Sequence, residues 1–355
     1  MSMRTFSYQA LPNRVVFGAG SLSKLNEEAD RLGIGRALVV CTPQQTDAAE
    51  VILQKLGTRG VSICARATMH TPTEVTQLAI EDLLDARADG VVSIGGGSTI
   101  GLAKALSVRT DLPHIAIPTT YAGSEMTPIL GETDNGIKST RRELAILPAT
   151  AIYDVELTFS LPPALSATSG INAIAHAVEA LYAPDGNPVI SLMAEEAIKS
   201  LARALPVIQR NPLDREAREL AFYGSWLAGT CLGSVSMSIH HKLCHTLGGS
   251  FDLPHAETHT VVLPYATAYV AEAAPDAMAA IRRALGKDGS AAQGLQELAK
   301  SVDAPTSLEQ IGMSEDGLDR AADLATSNPY WSPRPLERDA IRGLLEKAFK
   351  GERPD

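Results

Sequence analysis

Short, continuous apolar runs alternate with longer amphipathic stretches through the first half of this chain. Ala37-Leu38-Val39-Val40-Cys41 follows a polar helical pattern from Ser21 to Leu32. Val61-Ser62-Ile63-Cys64 comes next, then the amphipathic run from Thr73 to Arg87, then Gly90-Val91-Val92-Ser93-Ile94. After a further helical stretch, His114-Ile115-Ala116-Ile117-Pro118 supplies another short apolar run. Strands without polar alternation are buried on both faces, and helices between them supply the crossovers. The pattern therefore predicts an α/β domain with a doubly wound, mostly parallel, Rossmann-like sheet.

From about Leu161 the strand signals fade, and Ala- and Leu-rich stretches of helical period take over, including Ser191 to Ile208 and Arg215 to Cys231. An all-α second domain is expected. Pro162-Pro163 marks the boundary, giving a nucleotide-binding α/β domain over 1–160 and a helical substrate domain over 161–355. Ser166 or Thr168 is the expected cap of the helix that carries Asn172 and His176.

The chain has 355 residues, 45% of them apolar, enough for two cores. A net charge of -10 disfavours nucleic-acid and anionic-membrane partners, which repel an acidic protein. No run approaches the roughly 20 apolar residues of a membrane span, and the first residues lack a secretory pattern, so a cytoplasmic location is expected. Cys41, Cys64, Cys231 and Cys244 are widely spaced and read as reduced thiols rather than a disulfide or zinc framework.

Two segments carry candidate chemistry. Gly95-Gly96-Gly97-Ser98 lies between a buried strand and a helix beginning near Thr99, where backbone N–H groups and the helix dipole can receive a dinucleotide pyrophosphate. It is not the G-x-G-x-x-G fingerprint. After Val40, where an acidic side chain would grip a ribose 2′-OH, Cys41-Thr42-Pro43 offers none, so discrimination between NADH and NADPH should be weak. The second segment gathers His240, His241, His245, His255 and His259, five of the eight histidines, into twenty residues. Histidine is the natural metal ligand or proton shuttle near neutral pH. Asn172 and His176, four apart on one helical face, are read as the facing wall of the same cleft. The neutral amide of Asn172 is a weaker offer to a divalent ion than a carboxylate.

In order and spacing, several motifs together resemble the iron-containing alcohol dehydrogenase superfamily, and within it the maleylacetate-reducing subgroup. They are Gly95-Gly96-Gly97-Ser98, Pro118-Thr119-Thr120 with Ser124-Glu125-Met126-Thr127, Tyr153-Asp154 leading to Leu161-Pro162, and Gly170-Ile171-Asn172 with His176 and Glu179. His241, His245 and Gly248-Gly249 follow, with Leu253-Pro254-His255 after them. The stretch from Thr120 to Thr127 is one residue shorter than the usual alcohol dehydrogenase version.

The resemblance implies a dehydroquinate synthase-like architecture, a homodimer, and reduction of maleylacetate to 3-oxoadipate in aromatic-compound degradation, with NADH or NADPH as cofactor. The substrate would be a small dicarboxylate. The alternative is a metal-dependent alcohol or polyol dehydrogenase of the same superfamily. Thr119, Thr120 and Ser124 match family cofactor positions, joining Thr42 and the glycines. Asn172, His176, His241 and His255 match the metal-ligand positions, with Asn172 in place of an Asp. That replacement implies turnover without a metal, leaving His176, His241 and His255 to donate to substrate oxygens. His245 matches the histidine beside the nicotinamide. His241 or His245 is the expected donor to an enolate oxygen, Asn172, Lys242 and Arg334 are candidate substrate partners, and Glu125 and Glu179 are expected to orient their neighbours.

Overall fold

The computed structural model describes residues 5–134 and 137–355. Two compact units divide it: Leu11–Leu161, and Pro162–Asp355 grouped with residues 5–10. In the first unit, β1 (Arg14–Phe17), β2 (Ala37–Val40), β3 (Gly60–Cys64), β4 (Gly90–Gly95), β5 (His114–Pro118) and β8 (Thr150–Tyr153) form one sheet in the order β1-β8-β5-β4-β2-β3. Every pairing in it is parallel. The helices α1 (Leu25–Leu32), α2 (Thr46–Leu56), α3 (Thr73–Asp85) and α4 (Gly97–Thr110) are interleaved with these strands.

Burial on both faces explains the unbroken apolar strands. In β2, Ala37 and Val39 enter a core with Leu25, Ile52, Ile94 and Ile117. Leu38 and Val40 point the other way, into a core with Leu83, Val91, Leu102 and Leu106. The doubly wound expectation holds. The apolar pattern does not announce β1, β8 or the antiparallel hairpin of β6 (Ile129–Asp134) and β7 (Ile137–Arg142). The hairpin is held by ladder hydrogen bonds in largely polar sequence, which leaves no hydrophobic signature.

The second unit is helical throughout: α5 (Pro163–Ala180), α6 (Pro188–Arg210), α7 (Arg215–Ser234), α8 (Ile239–Phe251), α9 (His255–Val270), α10 (Pro275–Leu285), α11 (Ala291–Ser301), α12 (Leu318–Ser327) and α13 (Arg338–Lys350). None of the described helices is long and apolar enough to cross a membrane. Helix α5 is its axis, and every residue from Ser166 to Ala180 is buried. Small residues let its neighbours approach: a Cβ on Gly170 would lie 2.6 Å from Leu205. A helix buried all round must have its polar side chains satisfied from within the protein. On α5 these include Asn172, His176 and Glu179.

The start of α5 differs from the expectation. Pro162 occupies the cap position and Pro163 the first turn, where a missing N–H costs nothing. Ser166 and Thr168 lie inside the helix, Ser166 accepting from Arg218 at 2.8 Å and Thr168 donating to Ala164 O at 3.2 Å.

Candidate active site

In the α/β unit, β4 and β2 are neighbours whose onward connections lead to opposite sides of the sheet, which makes their carboxyl ends a topological switch point. The glycine turn is placed there. Gly95 closes β4 at φ +151°, and a side chain on it would meet Thr99 at 2.5 Å and Gln45 at 2.6 Å. Gly96 caps α4, which begins at Gly97, two residues earlier than expected, so the first amides of α4 have no intrahelical acceptor.

Thr42 follows β2, while Thr119 and Thr120 follow β5. Gln45 links them, since its amide donates to Thr119 Oγ1 at 3.2 Å and its carbonyl accepts from Thr42 at 3.3 Å. Thr120 stands against Gly96, where a Cβ would come within 3.0 Å of its methyl group. The structure therefore brings Thr42, Gly95, Gly96, Gly97, Ser98, Thr119 and Thr120 to one end of the sheet. Sequence reasoning missed Gln45, for which the sequence holds no signal.

Ser124 opens a short turn on the connection from β5 to β6, and Lys104 of α4 pins that turn from beneath. The fully buried ammonium donates to Ser124 O at 2.6 Å, Thr127 Oγ1 at 2.9 Å and Ile129 O at 3.0 Å. Burial pulls its pKa down to about 7. Glu125 accepts from Tyr153 at 2.6 Å, so it anchors the same turn to β8.

In the helical unit, Glu179 of α5 organises the histidines. Its carboxylate accepts from Ser238 N at 2.7 Å and His240 N at 2.6 Å, capping α8 from another helix, and from His241 Nδ1 at 2.7 Å. Nε2 of His241 lies 2.9 Å from Nδ1 of His176. Both ring nitrogens of His241 are therefore engaged. With Nδ1–H donated to Glu179, the Nε2 of His241 faces His176 Nδ1, and the tautomers of the two rings decide which of these nitrogens donates.

Beside this chain lies a second pair, His240 Nε2 and His259 Nδ1, 2.9 Å apart, with Cys244 Sγ 3.6 Å from the same Nε2. Donor atoms of these three residues lie within 4.8 Å of one another, a geometry able to hold a soft metal ion. Burial, reinforced by the surrounding histidines, holds both imidazoles well below the ordinary histidine range, so they are neutral. His255, exposed at the start of α9, meets the group through His259, with ring centroids 4.4 Å apart.

His245, one turn after His241, is half-buried, and its Nδ1 is 3.0 Å from the Tyr330 hydroxyl. Tyr330 also escaped sequence reasoning, although Asn328-Pro329-Tyr330-Trp331 is the kind of aromatic loop that carries function. Lys242 lies 5.7 Å from the Tyr330 ring. Arg334 is committed elsewhere, stacked 4.2 Å over Tyr269 and donating to its carbonyl at 3.3 Å. Buried Asn172 has an amide oxygen without a hydrogen-bond partner among the described residues.

The chain is similar to known proteins over nearly its whole length. Residues 12–155 match the iron-containing alcohol dehydrogenase model, and residues 166–349 match the model for the C-terminal part of the Fe-containing alcohol dehydrogenase family. Maleylacetate reductases from Rhizobium sp. (strain MTP-10005) and Burkholderia cepacia are each 55% identical to the chain, over 99% of its length and 100% of theirs. The crystal structure of maleylacetate reductase from Agrobacterium tumefaciens superposes with a TM-score of 0.96 at 56% identity, covering 99% of this chain and 100% of that one. A parallel sheet with a glycine turn, a helical unit with its histidine cluster and two family models spanning nearly the whole length establish that the chain belongs to the iron-containing alcohol dehydrogenase family.

Proposed function

We propose that the protein reduces maleylacetate to 3-oxoadipate with NADH or NADPH. The observation that carries this reading is the 55% identity to maleylacetate reductases over the full length of both chains. The site chemistry agrees with it, because the helical unit offers imidazoles, the Asn172 amide and Lys242, groups that suit a dianionic enone.

A reduced nicotinamide, when bound, would supply hydride to the alkene carbon remote from the ketone. The electron pair of the double bond moves toward the carbonyl, which becomes an enolate, and a proton then adds to the carbon beside the ketone. The products are 3-oxoadipate and the oxidised cofactor. His245, held through Nδ1 by Tyr330, acts through Nε2 as the donor to the developing oxyanion. His241 has both nitrogens engaged, so its part is to fix His176. His176, His255 and the amide of Asn172 then contact substrate oxygens. The glycine turn, Thr42, Thr119, Thr120 and Ser124 hold the cofactor. No carboxylate follows Val40 to repel a 2′-phosphate, so both nicotinamides serve.

The positions that hold a metal in metal-using relatives fit a divalent ion poorly here. Asn172, His176, His241 and His255 include no anionic ligand, and Nε2 of His241 is paired with His176. Turnover is proposed to need no added metal. Steady-state oxidation of NADH with maleylacetate, before and after chelation, tests the reading. Loss of activity on chelation with recovery on adding zinc or iron, or robust reduction of an uncharged aldehyde, would favour an ordinary metal-dependent alcohol dehydrogenase.

A further inference from the structure

A pocket of about 280 Å³ opens in the helical unit between α8, α12 and the segment after it, lined by Lys242, His245, Thr246, Ser250, Ser327 and Tyr330. Its lining contains a cation and several hydroxyls and no acidic residue. Lys242 is half-buried and, among the described residues, is within ion-pair distance of no carboxylate, although the chain carries a net charge of -10. Other lysines of this protein are paired, for example Lys199 with Glu196 at 3.0 Å and Lys287 with Glu297 at 2.8 Å. A partly desolvated cation left without a counter-ion in an acidic protein is a standing cost unless a ligand supplies the anion. Burial lowers the pKa of Lys242, in keeping with its missing partner.

Helix geometry links this pocket to the proposed chemistry. Lys242 and His245 are i, i+3 neighbours on α8, so their Cβ atoms stand about 5–6 Å apart. That spacing is comparable with the short span between the keto oxygen and a carboxylate of maleylacetate. Tyr330 touches both residues, through its hydroxyl to His245 and its ring to Lys242. Arg334, the other candidate cation, is held by Tyr269.

We infer that this pocket is the carboxylate subsite that selects dicarboxylate substrates, with Lys242 as its charged donor, Thr246 and Ser250 as its hydroxyl donors, and His245, held by Tyr330, beside it facing the reacting carbonyl. The inference rests on the proposed function for the identity of the substrate. The subsite itself makes a claim that does not need turnover: dicarboxylates bind here because of Lys242. An anion of another source, such as a cofactor phosphate, is the competing occupant.

The test uses adipate and monomethyl adipate as non-reacting probes, with binding followed by titration calorimetry on the full chain. The wild type should bind adipate at least tenfold more tightly than the monoester. Lys242→Met should abolish that preference, and Lys242→Arg should keep most of it. NADH and NADPH affinities, followed by nicotinamide fluorescence, should change by less than threefold in both variants. With maleylacetate, Lys242→Met should raise KM ten- to a hundredfold with kcat nearly unchanged. A wild type that shows Lys242-dependent adipate binding but does not reduce maleylacetate would sink the functional reading and leave the subsite standing. A wild type that reduces maleylacetate while Lys242→Met matches it in KM and adipate affinity would sink the subsite. Weakened NADH or NADPH binding in Lys242→Met would assign the pocket to the cofactor and overturn the inference. Thermal melts that superpose for wild type and both variants secure the comparison, and Lys242→Arg serves in its own right should the Met variant melt early.

Discussion

Glu179 Oε2 lies 2.7 Å from His241 Nδ1, while the two oxygens of the same carboxylate accept the Ser238 and His240 amides. One buried carboxylate thus starts the helix that carries His241 and His245 and sets which nitrogen of His241 bears the proton. Replacing it by the isosteric amide in Glu179→Gln turns one acceptor into a donor facing N–H groups. The expected cost is about 2–3 kcal/mol of stability in urea unfolding, since a hydrogen bond to a charged group is lost and a buried donor is left unsatisfied. kcat/KM for maleylacetate should fall by roughly 10- to 100-fold, as when the orienting partner of a functional histidine is removed. Wild-type stability and turnover in this variant would show that the contact orients nothing.

Gly97 and Gly96 separate cofactor binding from folding. A Cβ on Gly97 meets nothing within 4 Å, and the residue is the first of α4. Gly97→Ala should therefore leave the fold intact, gaining up to about 1 kcal/mol from helix propensity and reduced chain entropy. It should nonetheless weaken NADH binding, because the methyl group points into the turn that would receive the pyrophosphate. Gly96→Val, pressing on Thr120, should lose more NADH affinity than thermal stability. Unchanged fluorescence titrations with NADH in Gly97→Ala would remove the turn from the cofactor site.

His245→Ala should slow the chemical step by roughly two to three orders of magnitude, the usual loss for one oxyanion donor. NADH affinity should be retained. Single-turnover NADH oxidation reads the two effects separately, and a rate within threefold of wild type would exclude His245 as the donor.

Asn172→Asp puts a carboxylate one helical turn before His176 on α5. Zinc or iron retained by the purified variant, measured by elemental analysis, should rise at least tenfold over wild type as an anionic ligand joins the imidazoles. Metal content equal to wild type would show that these positions do not converge on one ion.

His114, on β5, is fully buried with Nε2 2.7 Å from Ser93, and burial, aided by the charge of Lys104, pushes its pKa down to about 3. Between that value and the ordinary 6.5, the unfolded chain takes up a proton that the folded ring refuses. Stability should therefore fall as pH drops through this window, by about 1.4 kcal/mol per pH unit for each such imidazole. His114→Phe should make urea midpoints between about pH 5 and 7 less pH-dependent. A slope unchanged by the substitution would place the acid sensitivity in other groups.

Local pattern carried much of this protein. The runs at Ala37–Val40, Gly90–Gly95 and His114–Pro118 were legible as buried parallel strands because both faces of each are covered, so they are apolar apart from Ser93 and His114, which pair with each other. The glycine turn was legible because a strand, three glycines and a helix are contiguous. The histidine cluster was legible by residue type, as was the amide at Asn172. What the histidines do to one another was not. His241 meets Glu179 across 62 positions and His176 across 65, and His245 meets Tyr330 across 85. Such pairings depend on how α5, α8 and α9 pack, and side-chain periodicity reports only which face of a helix is buried, not which neighbour it meets. The same limit hid β8 and the polar hairpin, whose hydrogen bonds are made by backbone groups common to every residue. Residue types along the chain set the available chemistry; tertiary packing decided that Glu179 fixes the proton on His241, that Arg334 is occupied by Tyr269, and that Lys242 has, among the described residues, no carboxylate within ion-pair distance.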